Sequence, residues 1–173
     1  MSPTRLLVLA WGNDCRGDDA LGPAFLAYAE ALADPPGVTT TFVGDYQLQP
    51  EHAIDLHGHD LVLFVDASLD ARLPYAFGAV EPAGTATFST HGVTPGVVLD
   101  AYRLTYGSPS PPAFQLAIRG ESFELGEPLG AVARRGLDAA LGFFALLRRR
   151  ASARAWCGLL QDSSRHSVAA DAA

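Results

Sequence analysis

"LLVLAWGNDCRGDDALGP", residues 6–23, passes from an unbroken apolar run into a loop that carries Gly12, Gly17 and Gly22 together with Asp14, Asp18 and Asp19. A continuous apolar run such as Leu6–Trp11 suits a strand buried on both faces. Pro23 stands where a first helical residue belongs, and Ala24–Leu32 is rich in alanine and leucine before Pro35 and Pro36 stop it. The opening therefore reads strand, loop, helix. The same alternation continues along the chain. Val38–Val43 is β-branched and reads as a second strand, Pro50–Leu56 as a short helix, and "LVLFVDAS", residues 61–68, as the clearest buried strand.

Ala76–Val80 and Ala86–Ser89 are weaker strand candidates. Thr94 as N-cap, Pro95 in the first turn and Gly107 beyond the end delimit a helix from Thr94 to Tyr106. "AFQLAIRG", residues 113–120, reads as a strand. From Leu129 onward, Ala133, Leu137, Leu141, Phe144 and Leu147 recur at helical spacing. Strands alternating with helices predict an α/β fold with a mostly parallel, helix-covered sheet, whose ligand sites lie at the carboxyl ends of the strands. Residues 1–150 are expected to form one domain and residues 151–173 a flexible tail, with Trp156, Leu159 and Leu160 offering its first part something to pack. "GSPSPP", residues 107–112, reads as a surface loop.

With 19 acidic and 12 basic residues among 173, the net charge of -7 disfavours nucleic acid, since phosphate contacts need a basic surface. The apolar start is too short for a signal sequence or a membrane span, and Cys15 and Cys157 have no metal or disulfide spacing. A cytoplasmic protein without a membrane partner is expected. Arg148, Arg149 and Arg150, continued by Arg154, read as a solvated helix end.

The glycines of the first loop do not match a dinucleotide or P-loop spacing, no lysine follows them, and their aspartates would repel a phosphate. A metal or proton role fits this loop better, with helix capping by Asp18 and Asp19 as the structural alternative. Asp66 ends an apolar strand, where a carboxylate must be paired, hydrogen-bonded or metal-bound. His91, in "STHGVTP", precedes the helix at Thr94. Two carboxylates and an imidazole from different loops of one sheet edge make an O,O,N set suited to a divalent zinc or nickel ion. His52, His57 and His59 lack helical ligand spacing and read as solvated residues beside a strand.

Taken in order, "GNDCRGDDALGP", "LVLFVDAS", "STHG" and "AIRGESFELG" resemble the hydrogenase maturation endopeptidases, from about Leu6 to Leu147. "DYQLQPEHAIDL" is similar to the branch serving soluble, NAD-linked bidirectional hydrogenases. The resemblance implies a three-layer α/β/α sandwich that cleaves a C-terminal extension from the large-subunit precursor of a nickel-iron hydrogenase. Asp19, Asp66 and His91 stand at the positions that surround the metal in that family, and are expected to be both the catalytic and the metal-contacting residues. The nickel is implied to belong to the precursor and to serve as the recognition mark, and the enzyme is expected to act as a monomer. Two positions depart from the common pattern: Asp19 stands where some members have glutamate, and "DYQLQ", residues 45–49, replaces a D-G-G turn.

The metal could activate a water, or an aspartate could act as general base. A nucleophilic Cys15 fits poorly, because neighbouring acids raise a thiol's pKa. A non-catalytic metal-dependent binding module or chaperone for the same precursor is the alternative from a different class, ahead of a nucleotide-binding domain.

Overall fold

The computed structural model describes residues 2–84 and 92–160. The strand proposed at Ala86–Ser89, and His91 with it, lie outside them. Five strands form one sheet: β1 (Thr4–Trp11), β2 (Val38–Asp45), β3 (Leu61–Ser68), β4 (Tyr75–Val80) and β5 (Ala113–Arg119), in the spatial order β2-β1-β3-β5-β4. All neighbouring pairs are parallel except β4 with β5. The mostly parallel sheet expected from the alternating pattern is the one found.

Successive strand residues point to opposite faces, so an unbroken apolar strand demands cover on both sides. On one face, Leu6, Val8 and Ala10 of β1 and Leu61, Leu63 and Val65 of β3 pack with Phe25 of α1 (Leu21–Ala29) and Phe144 of α4 (Ala131–Arg149). On the other, Leu7, Leu9, Val62 and Phe64 pack with Leu56 of α2 (Ala53–Leu56) and Val98 of α3 (Pro95–Tyr106). Helices on both faces give the three layers.

Local readings shift where tertiary contacts intervene. The first helix begins at Leu21 and ends at Ala29, rather than spanning Ala24–Leu32. A 3-10 turn over Gly17–Ala20 runs straight into it, so the chain is already helical before Pro23. Proline is tolerated in the first turn because N–H groups there have no intrahelical partner. Pro50–His52 likewise forms a 3-10 turn ahead of α2. Thr94 occupies the N-cap position of α3 with an extended backbone, yet its side chain caps nothing; its carbonyl accepts from Val97 and Val98 instead.

The expected tail needs correcting over its first ten residues. Residues 153–160 are helical, and Trp156 is fully buried. Its indole N–H donates to the Leu147 carbonyl at 3.1 Å, and its ring meets Phe114 edge to face at 5.1 Å and Phe77 at 6.0 Å. Large aromatic area drives that burial; three isolated apolar residues are too few to show as a helical period. Residues 161–173 are not described. Arg148 is a second correction: it is buried at 4% exposure, ion-paired with Asp34 at 3.2 Å and set over the Phe144 ring at 4.9 Å. Among the described residues no helix is long and apolar enough to cross a membrane.

Trp156→Ala should lower unfolding free energy by about 3–5 kcal/mol, the usual loss for a buried large aromatic. Chemical denaturation measures it; an unchanged midpoint would mean that the segment after Arg150 contributes nothing to the core.

Candidate functional site

The chain leaves β1 for β2 on one side and returns to β3 on the other, so strand order reverses at β1. In such sheets the adjacent helices diverge there and open a crevice beyond the carboxyl ends of the strands. Two glycines shape the chain at this point. Gly12 has φ +146°, and a Cβ there would lie 2.0 Å from the Asp19 carbonyl oxygen. A Cβ on Gly22 would lie 2.0 Å from the Trp11 carbonyl oxygen, so only glycine lets α1 start this close to β1.

Asp18 and Asp19 have separate tasks. Asp18 is buried at 2% exposure, and its carboxylate accepts three backbone N–H bonds: Gly130 at 2.7 Å, Glu121 at 2.8 Å and Ser122 at 3.2 Å. Its own N–H donates to the Ser122 carbonyl at 2.8 Å, and the Gly17 N–H to Glu127 at 3.0 Å. A buried carboxylate needs its lone pairs met by hydrogen-bond donors, and backbone N–H groups meet them here. Asp18 thus joins the first loop to the loop between β5 and α4. It caps α4, whose N-cap is Gly130, rather than the helix that follows it in sequence.

Asp19 is half-buried and accepts the Asn13 N–H at 3.0 Å. Asp66 emerges from β3 on the same sheet edge. Burial pushes its pKa from the ordinary carboxylate range up to about 7; the charge of nearby Asp19 adds to the rise, and a bond from the Ala67 N–H opposes it. The charge of Asp19 makes Asp66 costlier to ionise, and a cation beside the two would relieve that cost. Among the described residues, no three His, Cys, Asp or Glu side chains converge as a metal site. His91, the expected third donor, lies outside them.

A cleft of about 330 Å³ opens beside Asp19, walled by Asn13, Arg16, Tyr46, Gln47, Gly92 and Val93. Gly92 and Val93 directly follow His91 in sequence. Asp66 is not part of this cleft's wall; it is linked to Asp19 by charge.

The wall over residues 45–49 is held by a pair that the sequence reading missed. His52 is buried rather than solvated, its Nε2 lying 3.2 Å from an Asp45 carboxylate oxygen while its Nδ1 accepts the Gln49 N–H at 2.9 Å. Gln49, three residues before His52 at the start of a turn, was the available signal. His57 stacks on Tyr106 with ring centres 4.3 Å apart, distant from the site in the fold, near the start of β3.

Solved structures match this architecture. Hydrogenase maturating endopeptidase HybD from Escherichia coli aligns over 85% of this chain and 94% of its own, with 26% identity and a TM-score of 0.67. The fold is that of the hydrogenase maturation endopeptidases. The NiFe hydrogenase maturation protease HycI from Thermococcus kodakarensis aligns over 84% of this chain and 93% of its own, at 24% identity and TM-score 0.64. An endopeptidase from Escherichia coli, solved in solution, covers 85% and 94% at 24% identity and TM-score 0.63. No protein-family model and no curated protein matches the chain. Structural neighbours of this maturation endopeptidase fold thus include peptidases, as the first loop and β3 motif imply.

Asp18→Ala should cost about 3 kcal/mol or more of stability in denaturant unfolding, because it strands several buried donors at about 1–3 kcal/mol each. Asp66 generates a pH dependence of opposite sign to that of a salt-bridged acid. Unfolded, it ionises near pH 4; folded, near pH 7. The folded state holds the extra proton between those values, so stability falls as pH rises through this window. Asp66→Asn should raise stability at pH 8 by a few kcal/mol, with the gain vanishing toward pH 4; denaturation at the two pH values checks it.

Proposed function

We propose that this chain is an endopeptidase that removes a C-terminal extension from the large-subunit precursor of a nickel-iron hydrogenase. What supports this reading is the match of the fold to a hydrogenase maturating endopeptidase at 26% identity, with the Asp19 cleft lying at the strand-order reversal. The reading includes nickel carried by the precursor as the recognition mark, His91 as the third contact, and a monomeric enzyme acting in the cytoplasm on a soluble, NAD-linked type of hydrogenase.

The two acids divide the work by environment. Asp19 presents an anion from a loop that Asp18 holds rigid, and so meets a cationic centre on the substrate. Asp66 has a pKa of about 7, which suits a group that takes a proton from an attacking water and returns it to the leaving amine near neutral pH. Its proximity to Asp19 would place that exchange beside the marked site. In this assignment Asp66 serves as a carboxylate base rather than a covalent nucleophile. Cys15 serves less well, since its thiol is pushed up by its contact with Asp14.

Purified protein mixed with metal-loaded and metal-free precursor tests the reading by mass spectrometry. Loss of a C-terminal peptide only from the loaded sample is expected. Binding without mass loss would replace the peptidase with a chaperone. Asp19→Asn and His91→Ala should each abolish processing while the thermal midpoint stays within about 2 °C of the parent protein.

A further inference from the structure

Among the described residues, one cation lines the cleft beside Asp19, Arg16. Its side chain is exposed, and among the described residues its guanidinium has neither a hydrogen bond nor an ion pair. Some arginines are engaged, Arg5 with Asp60, Arg103 with Asp100, Arg148 with Asp34 and Arg119 with the Ala71 carbonyl, and what sets Arg16 apart is its place on the cleft wall beside Asp19. The backbone around Arg16 is held from both sides. The Cys15 carbonyl accepts the Gly126 N–H at 2.7 Å, and the Gly17 N–H donates to Glu127 at 3.0 Å. The Arg16 carbonyl itself accepts the Asp19 N–H at 3.0 Å, so the spacing between the two residues is set by a direct bond.

A free guanidinium projected from a fixed loop into a cleft pays little ordering entropy at its backbone when it binds a carboxylate, with which it makes two parallel hydrogen bonds. The loop around it is acidic, with Asp14, Asp18 and Asp19 on either side of Arg16 and a net charge of -7 for the chain. A carboxylate of a partner would meet repulsion elsewhere on that loop and attraction at this point. Acidic surroundings thus select where such a group can land.

We propose that Arg16 is a specificity-determining residue that binds a carboxylate of the substrate close to the bond cleaved at Asp19 and Asp66. This rests on the peptidase reading and adds to it a second point of recognition, separate from the metal. The carboxylate is supplied either by an acidic side chain of the precursor or by the free C-terminus of the extension, and the two sources are separable.

Steady-state processing of metal-loaded precursor tests the assignment. Arg16→Gln should raise KM about tenfold, the usual scale for losing a charge-assisted hydrogen bond, with kcat within about twofold; Arg16→Lys should restore part of the loss. Lengthening the precursor past its natural end removes a terminal carboxylate from reach, and acid-to-amide changes near the cleavage point remove a side-chain one. One of these should raise KM for the parent enzyme and leave Arg16→Gln unaffected, naming the source. An unchanged KM in Arg16→Gln, or a parent enzyme indifferent to every carboxylate removed, overturns the proposal while leaving the peptidase reading intact. No cleavage by the parent enzyme overturns both.

Discussion

A single buried carboxylate, that of Asp18, receives N–H bonds from Glu121, Ser122 and Gly130, more than a hundred positions away in the chain. An anion inside a fold is tolerable only when its lone pairs are met, and here backbone donors meet them without a counter-cation. The consequence is geometric. The loop after β1 and the loop after β5 become one unit, and whatever the first loop displays is held as firmly as the sheet beneath it. Asp19, the next residue, inherits that rigidity without contributing to it. Adjacent aspartates that look interchangeable in sequence thus differ in kind, one turned inward to build the edge and the other left half-exposed to use it.

The second organising constraint is the cost of ionising Asp66. β3 is apolar along its length because it is covered on both faces, and the same burial that stabilises the strand lifts the pKa of the acid at its end. The neighbouring charge of Asp19 reinforces this. A site of this kind repels anions and is relieved by positive charge, a bias set by burial and by the Asp19 charge together. Arg16 then adds the opposite preference a few residues away on the same loop.

Much of this was legible from residue order. Unbroken apolar runs at Leu6–Trp11 and Leu61–Val65 reveal strands buried on both sides, and turn residues separate them from helices, so the α/β class follows. Asp19 and Asp66 stand out because acids after such runs need a reason. What was not legible depends on distant partners. Nothing local tells Asp18 from Asp19, since the distinction lies in donors from residues 121–130. His52 looks solvated until Asp45 and the Gln49 N–H are seen around it, and Arg148 looks like a helix-end cation until Asp34 and Phe144 enclose it. Trp156 was visible as a residue able to pack the start of the tail, but its partners, Phe77 and Phe114, come from β4 and β5 and show only in the fold.

The helix α4 is pinned by charge at both extremities. At its start the Gly130 N–H is bound by Asp18; in its last turn Arg148 grips Asp34 and the Leu32 carbonyl at the opposite edge of the sheet. Its 19 residues span about 28 Å. With a charged contact at each end and its apolar face on the sheet, the helix is fixed against rolling as well as sliding, so the sheet's two edges, one carrying the acidic loop and the other Asp34, keep a set spacing across it.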